Sequence, residues 1–258
     1  FIYGRPKITT NDAMDAGGLR IEVVTPFEHL RVTYEGEVCL LDEPRDMANP
    51  RAAFTDNPMV ACSVQLEVRG ISPMYGGKQV YEDGTEIPVQ AEKSFAKAHY
   101  EQHIAVTGTI TVGEEVLDID GLGLRDKSWG PRYWQAVHWY RWLPMVFGKD
   151  FALMLSVIGG EDPDATPHQS GMVLEDGEYH LVRECRVESD WDEDRYQTSM
   201  RCWLRTDHKE YEVTGEVISM IPLRNRRTSP DGEQLVTRIT EAMTRFRCGD
   251  RTGIGMSE

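Results

Sequence analysis

Hydrophobic and polar residues alternate with a period of two along most of the chain. In the stretch IAVTGTITVGEEVLDI, isoleucine and valine recur at even positions from Ile104 to Val112, and a second apolar run follows the pair Gly113-Glu114. A period of two is typical of β-strands that are buried on one face, and a glycine between two such runs indicates a tight turn. The pattern predicts a hairpin here, and long helical periodicity is not seen.

The same device recurs in other segments. Asp176-Gly177 separates two short runs in GMVLEDGEYHLV, Glu35-Gly36 separates two runs in HLRVTYEGEVCLL, and residues 206–209 separate two further predicted strands. The stretch QLVTRITEAMTRFRC, which starts at Gln234, reads as another alternating strand whose buried face the pattern does not decide. Ten or more short antiparallel strands with closely spaced turns are typical of barrels and sandwiches, so we predict an all-β fold.

The stretch GLGLRDKSWGPRYW, from Gly121 to Trp134, interrupts this pattern. It is too polar for a plain core strand and too aromatic for a plain surface loop. Two aspartates just before it, Asp118 and Asp120, would share one face of a strand, and the glycines at its start predict a bend or bulge that redirects the following residues.

Asp126 is the candidate for acid chemistry in this stretch. A carboxylate among indole rings is desolvated, which raises its pKa and lets it hold a proton near neutral pH, as a general acid must. Arg125 or Arg132 would oppose this effect by favouring the ionised carboxylate. The alternative is structural: a buried Arg-Asp ion pair that holds two loops together beneath Trp129. The spacing alone favours this interpretation.

Two histidines stand four residues apart in HYEQH, with Glu101 between them. On a helix His99 and His103 would share a face and suit zinc, but the flanking sequence reads as strand, where four residues span about 13 Å. We therefore predict no metal site and keep both histidines, with His138 beyond the aromatic stretch, as candidate partners of an acid in a ligand cavity.

Composition and charge exclude some classes of partner. The net charge of −15 argues against nucleic acid and against an anionic membrane surface, and no apolar run is long enough to span a bilayer. Five scattered cysteines without paired spacing favour reduced thiols, which predicts a cytoplasmic location. The chain opens on Phe1 rather than on Met, which leaves open whether further residues precede it in the natural protein.

The pattern GxGxRDxSWGxR resembles the signature of the lipocalin-like hydratase superfamily, which includes carotenoid 1,2-hydratases, AttH-like proteins, kievitone hydratase and fungal pericyclases with tandem calycin domains. It looks closest to a bacterial branch that reads RDHSWGPR and carries no assigned reaction. The closing stretch TRITEAMTRFRCGDRTGIGMSE resembles the same branch. Lys127 stands where histidine is usual, so any role of that histidine is absent here or moved to another residue.

This resemblance implies two packed lipocalin-like antiparallel β-barrels, which we place at residues 1–123 and 124–258. It also implies cofactor-free chemistry: hydration of a double bond by protonation, or cyclisation of a bound polyene. We therefore expect an acid/base enzyme (hydratase, dehydratase, isomerase or cyclase) that acts on an isoprenoid, a steroid or a polyketide-like molecule. Neither a cofactor nor a metal is predicted, and assembly with further copies of the chain stays open.

The residues predicted to carry the reaction are Asp126, Arg125, His138, His99 and His103, with Asp126 as acid or proton relay and Arg125 holding it. The residues predicted to bind the substrate are Trp129, Tyr133, Trp134, Trp139 and Tyr100. The alternative is a lipocalin-like carrier of an apolar ligand, which the same aromatic pocket would serve. A titratable group that faces the cavity would favour the enzyme, and a filled or absent cavity would favour a scaffold.

Overall fold

A computed structural model describes residues 13–81, 83–89, 95–130, 133–134, 137–162, 164–229 and 231–258. The protein is all-β, as predicted, and its strands form two antiparallel sheets. In chain order the strands are β1 (Ala13–Ala16), β2 (Leu19–Thr25), β3 (His29–Cys39), β4 (Met59–Gly70), β5 (Tyr75–Lys78), β6 (Ala98–Val112), β7 (Glu115–Trp129), β8 (Trp139–Val146), β9 (Phe151–Gly159), β10 (His168–Glu175), β11 (Glu178–Leu181), β12 (Glu184–Trp191), β13 (Gln197–Arg205), β14 (Glu210–Thr228), β15 (Gln234–Cys248) and β16 (Arg251–Ser257).

The first sheet contains strands β1 to β7 and is organised around the long strand β6. One edge of β6 pairs with β5 near its start and with β4 over the rest, and the other edge pairs with β7. The β6–β7 register runs without interruption from Ala98 opposite Trp129 to Val112 opposite Glu115. The predicted hairpin is confirmed. The predicted bulge at Gly121 is wrong, because the ladder passes through the glycines in register.

The second sheet contains nine strands in the order β11-β10-β9-β8-β16-β15-β14-β13-β12. It curls around an apolar core that includes the fully buried Leu143, Leu155 and Phe246. The two ends of the sheet approach each other where the amide of Cys185 on β12 donates to the side chain of Gln169 on β10 at 2.9 Å. The hydrogen-bonded ladder itself does not close into a barrel within the described residues.

Local sequence signals account for several of these elements. Asp176 and Gly177 have φ angles of 50° and 88°, the left-handed conformations that a two-residue hairpin needs, and they join β10 to β11 as predicted. The turn predicted at Glu35-Gly36 is wrong, because β3 continues through both residues. A 3₁₀ helix (Pro44–Ala48) and helix α1 (Pro50–Asp56), which the alternation did not predict, fill the connection from β3 to β4, and the Asn49 side chain caps α1.

One face of β6 packs against the second sheet. The Tyr179 hydroxyl of β11 lies 2.6 Å from Ser72 Oγ, and the indole of Trp142 on β8 donates to Glu101 on β6. Strand β7 runs through residues 123 and 124, and the chain passes from the first sheet to the second between Trp129 and Trp139. The division into domains at residue 123 stays a prediction. In the described part of the chain, no helix is long and apolar enough to cross a membrane.

Candidate active site

A row of polar side chains lies on the face of β6 that meets the second sheet. Residues His99, Glu101 and His103 alternate along the strand and therefore point to one side. Asp126 on β7 is the direct register partner of Glu101, so it lies on the same face. His99 Nε2 lies 2.9 Å from Asp126 Oδ1 and 3.6 Å from Glu101 Oε1. The imidazole therefore connects a half-exposed carboxylate with a buried one.

Glu101 is the buried carboxylate of this group. Its side chain is only 1% exposed, whereas that of Asp126 is 43% exposed. The indole Nε1 of Trp142 donates to Glu101 Oε1 at 2.6 Å, and Oε2 has no hydrogen-bond partner among the described residues. Burial raises the pKa of Glu101 to about 7, the Asp126 carboxylate adds to the rise, and Trp142 and His99 oppose it. Glu101 thus holds a proton for part of the time near neutral pH.

His103 occupies the opposite end of the row and is sealed between the sheets. Its Nδ1 lies 3.0 Å from the Tyr179 hydroxyl, and its backbone amide donates to Ser72 Oγ at 3.0 Å. The residue is fully buried, and this burial lowers its pKa to about 4 against a smaller, opposing effect of the Leu153 backbone. The imidazole is therefore neutral near pH 7 and joins the two sheets as a hydrogen-bonding group.

Arg125, Tyr100 and Trp129 lie on the other face of the β6–β7 ladder. The Arg125 guanidinium donates to the Tyr100 hydroxyl and lies 5.1 Å from the Tyr100 ring centre, and the Trp129 ring meets Tyr100 edge-on at 6.2 Å. Arg125 thus contacts Tyr100 and not Asp126 in the described structure, because adjacent residues of a strand point to opposite faces. These three predicted site residues form a cluster of their own.

A cleft of about 210 Å³ opens on the second sheet, where residues in or next to β8, β12, β13 and β15 line it together with Glu258. Three of the predicted site residues line the cleft. Trp134 and His138 precede β8, and Trp139 is its first residue. The other lining residues are Val137, Tyr140, Arg141, Trp191, Arg195, Gln197, Thr237, Arg238, Ile239, Thr240 and Glu258. Four aromatic rings therefore line a small cleft that also holds a carboxyl group and three arginines.

Glu258 is the acidic residue among those that line the cleft. Its backbone pairs with Trp142 (Glu258 N to Trp142 O, 3.0 Å), and its side chain meets that of Glu241 on β15. Burial, the adjacent Glu241 carboxyl and, to a smaller extent, the Asp126 carboxylate together raise the pKa of Glu258 to about 8, against an opposing effect of the Tyr140 hydroxyl. Asp126 therefore acts electrostatically on both buried carboxyls, Glu101 and Glu258, and favours their protonated forms.

Glycine positions fix two aromatic residues of this region. Gly130, with φ of 105°, ends β7 directly after Trp129, and a Cβ there would lie 2.8 Å from the Lys97 amide. The Trp139 ring packs onto Gly159, where a Cβ would lie 2.0 Å from the indole. The glycines of the signature stretch and of β9 thus permit backbone and ring positions that a larger residue would block.

Three more residues of the signature stretch have defined positions. The Tyr133 ring lies under the Arg227 guanidinium at 4.9 Å, and Trp134 meets the Phe95 ring at 4.8 Å. Lys127, which replaces the usual histidine, lies 5.8 Å from the Trp129 ring on the face opposite Asp126. Arg132, the alternative partner of Asp126, lies outside the described residues.

Sequence reasoning missed Glu101, Glu258 and Trp142. The signal for Glu101 was present, because the strand alternation in HYEQH places it on the face of both histidines. Glu258 and Trp142 come close to the row only because strands that are distant in sequence pair in the sheet. No local sequence pattern predicts such pairing. Within the described ranges, no group of three or more histidine, cysteine or acidic side chains has the geometry to hold a metal ion.

Comparison with known proteins supports the fold. A family model described as a domain of unknown function, DUF7064, matches residues 2–258. A crystal structure of a protein described as a candidate AttH, from Nitrosomonas europaea, superposes with a TM-score of 0.60 at 14% sequence identity, covering 99% of this chain and 71% of that one. None of the curated proteins matches the sequence. The structural similarity supports a lipocalin-like, AttH-like fold, and at this identity it concerns the fold alone.

Proposed function

The chain belongs to the DUF7064 family, and we propose that this member is a cofactor-independent acid/base enzyme that moves a proton to or from a hydrophobic small molecule. The observation that carries the proposal is the place of Glu258 in the lining of an aromatic cleft, where burial beside Glu241 raises the pKa of its side-chain carboxyl to about 8. A carrier of apolar ligands needs the rings, but it has no need of a protonated carboxyl among them.

The cleft supplies the elements of a protonation reaction. Glu258 donates its proton to one carbon of a substrate double bond, and the electron pair of that bond forms the new C–H bond. The positive charge left on the neighbouring carbon lies against the faces of Trp134 and Trp139, whose quadrupoles attract cations. Water then adds to that carbon and loses a proton to His138, which gives hydration. If His138 instead takes a C–H proton from the carbon next to the cation, the electron pair of that bond forms a new double bond, which gives isomerisation.

The polar row of β6 and β7 supplies the return path of the proton. After donation, the Glu258 carboxylate lies near the negative Asp126, and this repulsion favours its reprotonation. Asp126 is half exposed and contacts His99 at 2.9 Å, so the pair can take up a proton from solvent. We therefore assign Asp126 and His99 to a proton relay and Glu101 to a reserve carboxyl behind it. This is the relay role expected for Asp126, with Glu258 as the acid.

The substrate class follows from the cleft and from the resemblance of the signature. A lining of four aromatic rings suits an unsaturated, apolar body, and the hydratases and cyclases that the signature resembles act on such molecules without a cofactor. Among the classes expected, an isoprenoid, a steroid fragment and a polyketide-like polyene all fit this description. The small volume of the cleft restricts the part of the substrate that it encloses.

The test is deuterium transfer from solvent. The protein is incubated in D₂O with terpenoid, steroid and polyene compounds, and label is followed by mass spectrometry. We expect label in at least one class of compound, a decrease of about 10²- to 10⁴-fold for Glu258→Gln and a smaller decrease for Asp126→Asn. Asp118→Asn, an exposed change on the same strand, is the matched control and should label as the wild type does.

A carrier gives a different result in the same experiment. Tight retention of a compound without label in any class would overturn the enzyme and favour the carrier. Labelling that is equal in the wild type and in Glu258→Gln would also contradict the proposal, because the proton would then come from another group.

A further inference from the structure

The cleft concentrates positive charge in a strongly acidic protein. Its lining includes Arg141, Arg195 and Arg238, whereas the net charge of the chain is −15. Glu258 is the one acidic residue in the lining, and burial beside Glu241 raises the pKa of its side-chain carboxyl to about 8. A cleft of one sign with apolar walls attracts a ligand of the other sign.

Arg141 is the most enclosed of these arginines. It is partly buried, whereas Arg195 and Arg238 are exposed. Its guanidinium lies over the Trp191 ring at 4.6 Å, and its Nη1 donates to the Tyr140 backbone carbonyl at 2.7 Å. No carboxylate of the described residues forms an ion pair with it, and burial lowers its pKa. This contrasts with arginines such as Arg183 and Arg251, each of which pairs with an aspartate.

An enclosed cation without an anionic partner is costly, because it loses hydration and gains no compensating charge. A guanidinium has five N–H donors in a planar fork that fits a carboxylate with two parallel bonds. Stacking on Trp191 leaves the edges of the fork available, and one donor is engaged by the Tyr140 carbonyl. The surroundings of Arg141 therefore match a ligand that brings the missing anion.

We propose that the cleft takes an unsaturated, apolar carboxylic acid whose carboxylate binds Arg141 and whose carbon body lies against the aromatic rings. This ligand site stands apart from the proposed function; the further claim that the bound acid is also the enzyme's substrate rests on it. Trp139 and Trp191 at the rim of the cleft are 39% and 47% exposed, and the carbon body of a bound acid would cover these exposed rings.

A carboxylate fits better than a diphosphate. Recognition of a diphosphate takes several convergent cationic groups, and here only Arg141 is enclosed. Arg238 is held at the rim, donating to the Asp194 carbonyl at 3.1 Å and lying over the Tyr196 ring at 5.0 Å. A cleft of about 210 Å³, below the size of about 300–1,000 Å³ usual for drug-sized ligands, also favours a small head group.

The test compares acids with alcohols of the same carbon skeleton. Binding of geranic acid and geraniol, and of trans-cinnamic acid and cinnamyl alcohol, is measured by calorimetry at pH 7. We expect each acid to bind at least tenfold more tightly than its alcohol. Arg141→Met should weaken binding of the acids about ten- to hundredfold and leave the alcohols within about twofold, because only the charged hydrogen bonds are lost.

Matched variants separate the charge of Arg141 from its packing. Arg186→Met is the control, since Arg186 also lies over a tryptophan (Trp203, 5.2 Å) but has a side chain 72% exposed and does not line the cleft. Arg141→Lys keeps the charge without the fork and should give an intermediate loss for the acids. The comparison of acid with alcohol in the wild type needs no variant, so it holds even where Arg141→Met fails to fold.

Two results would overturn the inference: alcohols that bind as tightly as their acids, or an Arg141→Met protein that binds acids as the wild type does. These results are separable from failure of the proposed function. Acids that bind through Arg141 but take up no deuterium would leave the inference standing and make the protein a carrier of acids. Deuterium uptake that is equal in acids and alcohols and independent of Arg141 would leave the enzyme standing and remove this ligand class.

Discussion

The two histidines of HYEQH lie on one face of one strand, but one is buried and the other is partly exposed to solvent. His103 is fully buried, hydrogen-bonded to Tyr179 and kept neutral by burial. His99 has a side chain 44% exposed and contacts the Asp126 carboxylate. The second sheet covers the His103 end of the polar row and leaves the His99 end open. Coverage by a distant strand, rather than residue type, therefore decides which histidine holds the fold and which can exchange protons.

Glu101 lies between them and shares features of both ends. It is as buried as His103, yet it is linked through His99 to the half-exposed Asp126. Burial acts in opposite directions on an acid and a base, since it raises the pKa of Glu101 and lowers that of His103. Neighbouring positions of one row therefore respond to pH with opposite signs.

Glu101 should make the unfolding free energy of the protein depend strongly on pH. Its folded-state pKa of about 7 lies above the ordinary 4.5, so its stabilising contribution is complete below pH 4.5 and is lost as pH rises through 7. Relative to wild type, Glu101→Gln should therefore gain up to about 3 kcal/mol of unfolding free energy between pH 4.5 and 7. Urea unfolding across this range measures it, and the exposed Glu114→Gln should show no such gain.

His103 should give the opposite slope. Its folded-state pKa of about 4 lies below the ordinary 6.5, so its contribution is complete above pH 6.5 and is lost as pH falls toward 4. Between pH 6.5 and 4, the wild type should lose up to about 3 kcal/mol more stability than His103→Gln does. If the unfolding free energies of the two proteins fall by the same amount over this pH range, burial does not keep His103 neutral.

Tyr179→Phe tests whether the Tyr179 hydroxyl joins the two sheets. The change removes the hydroxyl that contacts Ser72 Oγ and His103 Nδ1; Ser72 Oγ keeps its bond from the His103 amide, whereas His103 Nδ1 loses the partner that joins it to the second sheet. We expect a loss of about 1–3 kcal/mol in unfolding free energy. Tyr81→Phe is the control, because Tyr81 is 54% exposed. Equal stability of the two variants would mean that this hydroxyl does not join the sheets.

His99→Gln should have the smallest effect on stability. Exposed ion pairs contribute little, so we expect less than about 1 kcal/mol, decreasing further at high salt. Thermal unfolding in low and high salt measures this change beside that of Tyr179→Phe. A loss as large as that of Tyr179→Phe would remove the distinction between the open and sealed ends.

Local patterns predicted the strands of this site but not what covers them. Alternation located β6 and β7 with their turn at Gly113, and the same alternation places His99, Glu101 and His103 on one face. It could not show that β11 covers only one end of that face, because such contacts join residues far apart in sequence. The pair of Glu241 and Glu258 depends likewise on the pairing of β15 with β16, and the sequence alone placed the acid at Asp126.

A ¹³C NMR titration of the glutamate side-chain carboxyls in the labelled protein measures directly whether the site holds protons at neutral pH. We predict that two carboxyls, Glu101 and Glu258, titrate near pH 7 and 8, and that both midpoints fall in Asp126→Asn but not in Asp118→Asn. Titration of every glutamate below about pH 5, in the range of exposed carboxyls, would contradict it. The site would then hold no proton at neutral pH to transfer.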